Sequence, residues 1–230
     1  ISVTSDVHPD KINYVHFIMA SNKSIDSIVE ALKGYHTALD IGTDHGYVLK
    51  YALDQHYIKK GIASDLRKQP LEKAKTLLKN YPVDFYLADG FLSIDKPFDV
   101  VVIAGMGSHT TIEIMKQRLD IQADFILMPH DHLHEIRTFL CEYGFVIDYE
   151  KIIEDRHFYT LFKVFRGKMT MSEKEIYTGY HVIKDDTYKK YIKMKMVHYQ
   201  ALVAKTHSEK QAFFKKIERY FMEVLHDIHD

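Results

Sequence analysis

The chain has 230 residues, of which 46% are hydrophobic, and a formal charge of −1 at pH 7. That length holds one full-sized domain plus a small appendage, and the balanced charge excludes a nucleic-acid binder that works through bulk positive charge. Cys141 is the single cysteine. It excludes an intramolecular disulfide and a cysteine metal site, and it is typical of a reducing compartment.

Neither a membrane span nor a secretion signal is predicted. No window approaches 18 uncharged apolar residues, and the first ten residues include acidic side chains where a signal peptide would be basic and then apolar. We therefore expect a cytoplasmic protein.

Short apolar runs alternate with helical patterns between about residues 36 and 143, which predicts parallel βαβ units. The fourth run, residues 100–103, is continuously apolar, as expected for a central strand that helices cover on both faces. The predicted strands are 37–41, 60–64, 83–87, 98–103 and 124–128.

The pattern changes after residue 143. Two apolar runs, 145–153 and 157–165, are separated by the polar turn Glu154-Asp155-Arg156, which leaves no room for a helix. They predict an antiparallel β-hairpin. An α/β chain of five βα units that ends in a β-hairpin resembles the Rossmann-like class I methyltransferases, whereas dinucleotide-binding folds end in a sixth parallel strand.

The chain becomes helical after Gly167. The segments 172–175 and 208–211 each have the form of a capping box and so predict helix starts. Apolar spacing of three and four residues predicts two antiparallel helices joined near residues 204–208. The spaced residues are Tyr188, Ile192, Tyr199, Leu202, Phe214, Ile217, Phe221, Val224 and Ile228. We expect a Rossmann-like domain over residues 1–166 and a coiled-coil-like helical domain over residues 167–230.

The segment 40–46, Asp-Ile-Gly-Thr-Asp-His-Gly, follows the first predicted strand and opens a helical pattern. A small ligand binds at this end of an α/β sheet. The loop carries two carboxylates, Asp40 and Asp44, and has no Lys followed by Ser or Thr, so it disfavours a pyrophosphate. It favours a ligand with an ammonium and a sulfonium group, and S-adenosylmethionine (SAM) has both.

Two more acidic residues end predicted strands in register with Asp40. Asp65 stands where nucleoside-binding folds place a carboxylate that accepts hydrogen bonds from both ribose hydroxyls. Asp89 could accept from an adenine amino group, while Gly90 admits the ring. Each residue alone also fits a helix cap or turn. The three together indicate a nucleoside site.

The segment Ala104-Gly105-Met106-Gly107 follows the fourth predicted strand. Its glycines give a floor of little bulk where a methyl donor and an acceptor base could meet; the alternative is a tight strand-to-helix turn. The chain has no Asn/Asp-Pro-Pro-Tyr/Phe signature, which polarises an exocyclic amino group. Amino-group methylation of adenine or cytosine is therefore disfavoured.

Taken together, these motifs resemble the bacterial tRNA methyltransferases that modify N1 of adenine 22, in the D-arm region. Residues 40–45 resemble that family's first motif and residues 103–107 its fourth. The resemblance extends to the C-terminal helices, which the family uses for tRNA. It implies SAM-dependent methylation of N1 of adenine 22, with tRNA as the partner.

The resemblance also implies a set of site residues. Asp40, Gly42 and Asp44 would line the methionine end of SAM, Asp65 would hold the ribose, and Asp89 with Gly90 would meet the adenine. The full predicted cofactor set is Asp40, Gly42, Thr43, Asp44, His45, Gly46, Asp65, Leu66, Asp89, Gly90, Ala104 and Gly105. The predicted catalytic set is Gly105, Met106, Gly107 and His45.

The chain departs from the family pattern after the fifth predicted strand. Met128-Pro129-His130 stands where the family commonly has Gln-Pro-Asn, although Arg137 downstream still matches. Ser108 stands where the family often has a third glycine.

A cluster of histidines and acids follows, from His130 to Glu135. Histidines at i, i+2 and i+4 cannot all face one way on a helix, and no His-Glu-x-x-His motif is completed. We therefore expect side chains that face solvent or RNA, and no metal.

Adenine N1 exposes its lone pair only when the base is out of Watson–Crick pairing, so the base must be flipped or unpaired. N1 is already nucleophilic, so we expect catalysis by alignment and exclusion of water, without a strong general base. Candidate stacking partners for the base are Tyr14, Tyr47 and Tyr159.

Basic residues outnumber acidic ones from Lys168 onward, and tyrosines are interleaved with them. This pattern favours RNA binding, with a solvated helix face as the alternative. The predicted RNA-binding residues are Arg137, Lys189, Lys190, Lys193 and Lys195.

Two other functions stay open. One is a SAM-dependent methyltransferase of a small molecule or protein, with the helices as a dimerisation device. The other is a non-catalytic RNA- or partner-binding protein on a nucleoside-binding fold. For the methyltransferase of tRNA we expect a monomer.

Overall fold

The computed structural model describes residues 23–228, which form one seven-stranded sheet with helices around it. The strands are β1 (Thr37–Ile41), β2 (Lys60–Asp65), β3 (Val83–Leu87), β4 (Val100–Ala104), β5 (Asp124–Met128), β6 (Phe145–Glu154) and β7 (Phe158–Arg166). They lie in the order β3-β2-β1-β4-β5-β7-β6. The first five are parallel, and β7 runs antiparallel to both β5 and β6.

The predicted α/β class, with five parallel strands closed by a hairpin, is confirmed. The bounds of β1, β3 and β5 match the predicted ones, and β2 runs one residue further, to Asp65. Strand β4 begins two residues later than predicted. The hairpin turn lies at residues 155–157, one residue beyond the predicted turn.

The helices in the described part of the chain alternate with the strands and then form the C-terminal segment. They are α1 (Lys23–Ala31), α2 (Tyr47–Asp54), α3 (Lys68–Leu77), α4 (Ser108–Lys116), α5 (Leu133–Glu142), α6 (Glu173–Thr178), α7 (Asp186–Lys205) and α8 (Ser208–Asp227). None of these described helices is both long enough and apolar enough to cross a bilayer.

Strand β4 is buried on both faces, as its continuous apolar sequence predicts. Val101 and Ile103 belong to one hydrophobic cluster with residues of α4 and α5. Val100 and Val102 belong to a second cluster with residues of α1, α2 and α3. The sheet is therefore the middle of three layers.

Helices α7 and α8 pack against each other and against the hairpin. Tyr188 and Ile192 of α7 and Phe221 of α8 are buried together with Ile152 of β6. The predicted antiparallel helical pair is confirmed, and only residues 206–207 connect its two helices. The pair shares its apolar core with the sheet and does not stand apart from it.

Both predicted helix starts are confirmed, but only the first of them forms the predicted capping box. Ser172 and Glu175 form a reciprocal capping box before α6, with Ser172 N donating to Glu175 Oε2 at 2.7 Å. Ser208 instead begins α8 itself with a φ of 59°, and the preceding His207 makes no side-chain cap. Asp185 caps α7 by accepting from Tyr188 N at 2.8 Å, which sequence analysis missed.

A buried ion pair joins the sheet to the C-terminal segment. Arg137 of α5 is 1% exposed, and its Nε and Nη2 donate to the Glu150 carboxylate at 2.8 and 2.6 Å. Nη1 donates to the Ile176 carbonyl at 2.8 Å, and Tyr180 N donates to Glu150 Oε1 at 2.9 Å. All three nitrogens of the guanidinium thus donate within the protein, and the predicted contact of Arg137 with RNA stays a prediction.

Replacing Arg137 with Met should lower the free energy of unfolding by about 3–5 kcal/mol, because a buried carboxylate loses its counter-charge. Urea denaturation measures the loss. Adding Glu150→Gln should recover much of it, since neither charge then remains. The matched control is Lys190→Met, which breaks an exposed pair with Glu154 and should leave the transition unchanged. A transition for Arg137→Met that coincides with the parent's would contradict this account.

Candidate active site

A cavity of about 700 Å³ lies at the carboxyl ends of β1, β2, β3 and β4, where parallel α/β sheets bind ligands. The loops after these strands and one face of α4 form its wall. The lining residues are Ile41, Gly42, Asp44, Asp65, Leu66, Arg67, Ala88, Asp89, Gly90, Ala104, Gly105, Met106, Thr110, Glu113, Ile114 and Gln117.

Asp65 holds two loops of this cavity in place. Its Oδ1 accepts from Arg67 N at 2.8 Å, and its Oδ2 accepts from Asp44 N at 3.2 Å. Each carboxylate oxygen has a second lone pair. The side chain is nearly buried but lines the cavity, so a diol bound there could donate to the carboxylate.

A positive φ and close side-chain neighbours explain two of the glycines. Gly42 has a φ of 75°, and a Cβ there would overlap Met106 Cε. Gly90 has a φ of 61°, and a Cβ there would overlap the carboxamide of Gln117, whose Oε1 accepts from Phe91 N at 2.8 Å. Any side chain at either position would displace the cavity wall.

Asp40 lies beneath the loop rather than on the cavity surface. It is 4% exposed and accepts from Thr43 Oγ1 at 2.7 Å. Burial raises the pKa of Asp40 to about 6; the hydrogen bond from Thr43 lowers it, and the charge of Asp65 raises it further. Because this pKa is not far below pH 7, a change of charge in the cavity would alter how much of Asp40 is protonated.

The structure brings most of the predicted cofactor set to this one cavity. On its lining are Gly42, Asp44, Asp65, Leu66, Asp89, Gly90, Ala104 and Gly105, together with Met106 of the predicted catalytic set. Off the lining are Asp40, Thr43, His45, Gly46 and Gly107.

The residues off the lining have other contacts. His45 Nε2 lies 3.4 Å from Asp44 Oδ2, and its ring centroid is 5.8 Å from that of Tyr47. Gly46 precedes α2 with a φ of 79°. Gly107 lies beside the carboxylate of Asp131. Contact of any of these with a ligand stays a prediction.

Sequence analysis missed the wall that α4 supplies. The wall consists of three residues of the helix and the residue that follows it: Thr110, Glu113, Ile114 and Gln117. Their spacing of three, one and three residues is that of a single helical face. That spacing, on the helix after the glycine turn, is the signal that could have found them.

A second cavity, of about 740 Å³, lies between the loop after β5, the hairpin turn and α7. We call it the groove. It is lined by Pro129, His130, Asp131, His132, Leu133, His134, Arg137, Glu154, Asp155, Arg156, His157, Phe158, Thr160, Tyr177, Tyr191, Met194, Lys195, His198, Tyr199 and Phe221. Burial lowers the pKa of His134 below that of an ordinary imidazole.

Backbone hydrogen bonds join the groove to the first cavity. His130 N donates to the Met106 carbonyl at 2.9 Å, and Ser108 N donates to Asp131 Oδ1 at 2.9 Å. The loop after β4 and the loop after β5 therefore form one unit between the two cavities.

The four predicted lysines differ in surroundings. Lys195 lines the groove 5.5 Å from the Tyr191 ring centroid, and burial lowers its pKa. Lys193 is exposed. Lys190 Nζ lies 2.7 Å from Glu154, and Lys189 Nζ lies 4.0 Å from Asp186.

The candidate stacking tyrosines also differ. Tyr159 is half-buried, with its ring centroid 6.3 Å from that of His130. Tyr47 stacks on Tyr51 at the surface, with ring centroids 5.9 Å apart. Tyr14 lies outside the described residues.

The strand order, the antiparallel hairpin and the cavity at the carboxyl ends define a Rossmann-like class I methyltransferase. Residues 38–226 match the TrmK family, described as tRNA (adenine(22)-N(1))-methyltransferase, and the chain belongs to this family.

Related proteins carry similar names. The chain is 32% identical over 154 residues to a putative tRNA methyltransferase of Mycoplasma pneumoniae, covering 63% of this chain and 71% of that protein. It is 28% identical over 142 residues to the tRNA (adenine(22)-N(1))-methyltransferase of Bacillus subtilis, covering 58% and 60%.

Solved structures share the fold. TrmK of M. capricolum, in complex with S-adenosyl-homocysteine, gives a TM-score of 0.78 at 22% identity, covering 89% of this chain and 97% of that one. Sp1610 of Streptococcus pneumoniae, in complex with S-adenosyl-L-methionine, gives 0.78 at 23% identity, covering 89% and 99%.

Asp40 should make stability fall as pH rises from about 4 to 6. Its pKa is raised in the folded protein, so the folded state binds more protons than the unfolded state over that window. The Asp40→Asn variant should lack this decline, and the difference from the parent should reach on the order of 3 kcal/mol. Denaturation in urea across pH measures it.

The Thr43→Val variant serves as a second check on Asp40. It removes the hydrogen bond that lowers the pKa of Asp40 in the folded state, so the decline should start at the same pH and extend to higher pH. Parallel pH profiles for the parent and Asp40→Asn would exclude Asp40 as the cause.

Proposed function

We infer that the protein transfers a methyl group from SAM to N1 of adenine 22 in tRNA. The family gives the reaction and the base. The observation on this chain that carries the inference is the cavity in which three loops bring Asp44, Asp65 and Asp89 together.

The cavity fits SAM in charge. Among its described lining residues, Asp44, Asp65, Asp89 and Glu113 are acidic and Arg67 is basic, which suits a ligand with an ammonium and a sulfonium. The related structures with SAM or S-adenosyl-homocysteine share the fold and support the same ligand here.

Each part of the wall has a proposed role. Asp65 accepts from the ribose hydroxyls, and Asp89 with Gly90 meets the adenine. Gly42 and Asp44 face the methionine end. Asp40 and Thr43 act from beneath, by holding the loop that carries these residues.

The bound SAM supplies an electrophilic methyl group, and the residues of the cavity position the acceptor base beside it. At Gly105, with a φ of 74°, no atom of residues 23–228 other than the glycine and its two neighbours lies within 4 Å of where a Cβ would stand. This open floor admits a planar base beside Met106. Because N1 carries its own lone pair, the residues around it need only align the base and exclude water.

The groove is the proposed path of the RNA. It places aromatic rings and imidazoles beside the loop that ends the first cavity, and Lys195 is among its lining residues. Bases stack on such rings, and phosphates pair with cations. Lys193 extends the basic surface outside the groove, while Lys189 and Lys190 reach it only by leaving their carboxylate partners.

A monomer in the cytoplasm is proposed for this activity. The apolar residues that a dimeric coiled coil would share, such as Ile192, Ile217 and Phe221, are buried within one chain. A tRNA substrate supports a cytoplasmic location. We retain the division into domains 1–166 and 167–230 as a working description of cofactor-binding and tRNA-binding parts.

Incubation of tRNA with the protein and SAM should yield N1-methyladenosine at position 22, because the exposed N1 lone pair is the nucleophile. Nucleoside mass spectrometry identifies the product, and reverse transcription should stop at that adenine. The control substrate is the same tRNA with guanine at position 22, which should accept no methyl group. A methyl on N6 or on guanine would contradict the reaction, and no methylation of tRNA would favour a non-catalytic or small-molecule role.

Replacing Lys193 and Lys195 together with Ala should weaken tRNA binding. The slope of log affinity against log salt should become shallower by about one unit for each phosphate that a lysine no longer neutralises. Fluorescence anisotropy over a salt series measures both, and SAM affinity should not change. The control is Lys79→Ala, an exposed lysine just beyond α3 at the opposite edge of the sheet. If the double variant has the same slope as the parent, these lysines contact solvent and not phosphates.

A further inference from the structure

The start of α5 carries a cluster of metal-ligand side chains on the wall of the groove. One ligand atom from each of His132, His134 and Glu135 lies within 4.8 Å of the others. His132 Nδ1 is 3.6 Å from Glu135 Oε1, and the centroids of the two imidazole rings are 5.9 Å apart.

The backbone explains how residues at this spacing meet. His132 precedes the helix with φ 42° and ψ 44°, so it does not follow the helical direction of His134 and Glu135. The expectation of no metal assumed histidines on one regular helix, and that assumption is wrong. His134 is held by stacking on Tyr177, with ring centroids 5.1 Å apart and planes at 18°.

The donor set selects one class of ion. Two imidazoles and one carboxylate suit divalent zinc, nickel, cobalt or copper, whereas calcium and magnesium take oxygen ligands. Bonds of about 2.1 Å require the ligand atoms to come closer together. The exposed side chains of His132 and Glu135 can rotate to achieve this, since neither is packed in the core.

We propose that His132, His134 and Glu135 bind one divalent first-row transition-metal ion beside the groove. Three protein ligands leave at least one position for water or another oxygen donor. The carboxylate of Glu135 neutralises one of the two positive charges of the ion. The helix N-terminus and Lys195 oppose a cation, so binding should be weaker than at a closed four-ligand site.

The test is a titration of the full, tag-free and chelator-stripped protein with Co²⁺, followed through its visible absorption band, and then displacement by Zn²⁺. We expect one equivalent to saturate the site. Because neither tRNA nor SAM is present, the result is independent of the proposed methyl transfer.

Variants locate the site. His134→Ala and Glu135→Ala should each weaken binding by about tenfold or more, as expected for loss of a direct ligand. Lys195→Ala should tighten it, because a neighbouring positive charge is removed. The matched control is His157→Ala, which removes a groove imidazole on the hairpin turn and should bind Co²⁺ like the parent.

Two outcomes would overturn the proposal. Parental affinity in Glu135→Ala, whose exposed position makes a folding defect unexpected, would remove the carboxylate and with it the site. Binding of several ions, weakened as much by His157→Ala as by His134→Ala, would mean diffuse association with the groove histidines. Circular dichroism of each variant confirms that the fold is retained.

Discussion

Two opposite charges, both withdrawn from water, set how the C-terminal segment lies on the sheet. Arg137 and Glu150 face each other inside the protein and also bind backbone groups of the segment at Ile176 and Tyr180. Removing such charges from water is costly, so the pair contributes less to net stability than to the choice of one arrangement. In this arrangement each buried charge has its partner. The same arrangement places Arg137 and Tyr177 on the wall of the groove.

Glu150 also protects an edge of the sheet. Strand β6 is the last in the order, and an unpaired edge strand invites association with other chains. Here Glu150 N donates to the His181 carbonyl at 3.2 Å, and Ile183 N donates to the Glu150 carbonyl at 2.8 Å. One position in β6 thus bonds the C-terminal segment through its side chain and through both of its backbone groups.

Local patterns predicted the sheet well because strand and turn signals act over a few residues. The carboxyl-end residues Asp65 and Asp89 could be placed from the order of strands alone. Arg137 could not, since its burial depends on contacts with residues 13 and 39 positions away. Ser208 shows a limit of local signals. Its sequence fits a capping box and α8 begins there, but Ser208 is the first residue of the helix, with a φ of 59°, and not the cap before it.

The short connection between α7 and α8 also gives the helical pair a fixed length. Each helix has 20 residues, so the tip at residues 206–207 lies about 30 Å along the axis from the start of α7. If tRNA lies along the pair, as proposed, its contacts at the tip would lie at that distance from those at the start of α7. Adding or deleting one turn in both helices would shift that reach by about 5 Å while leaving the site near the sheet untouched.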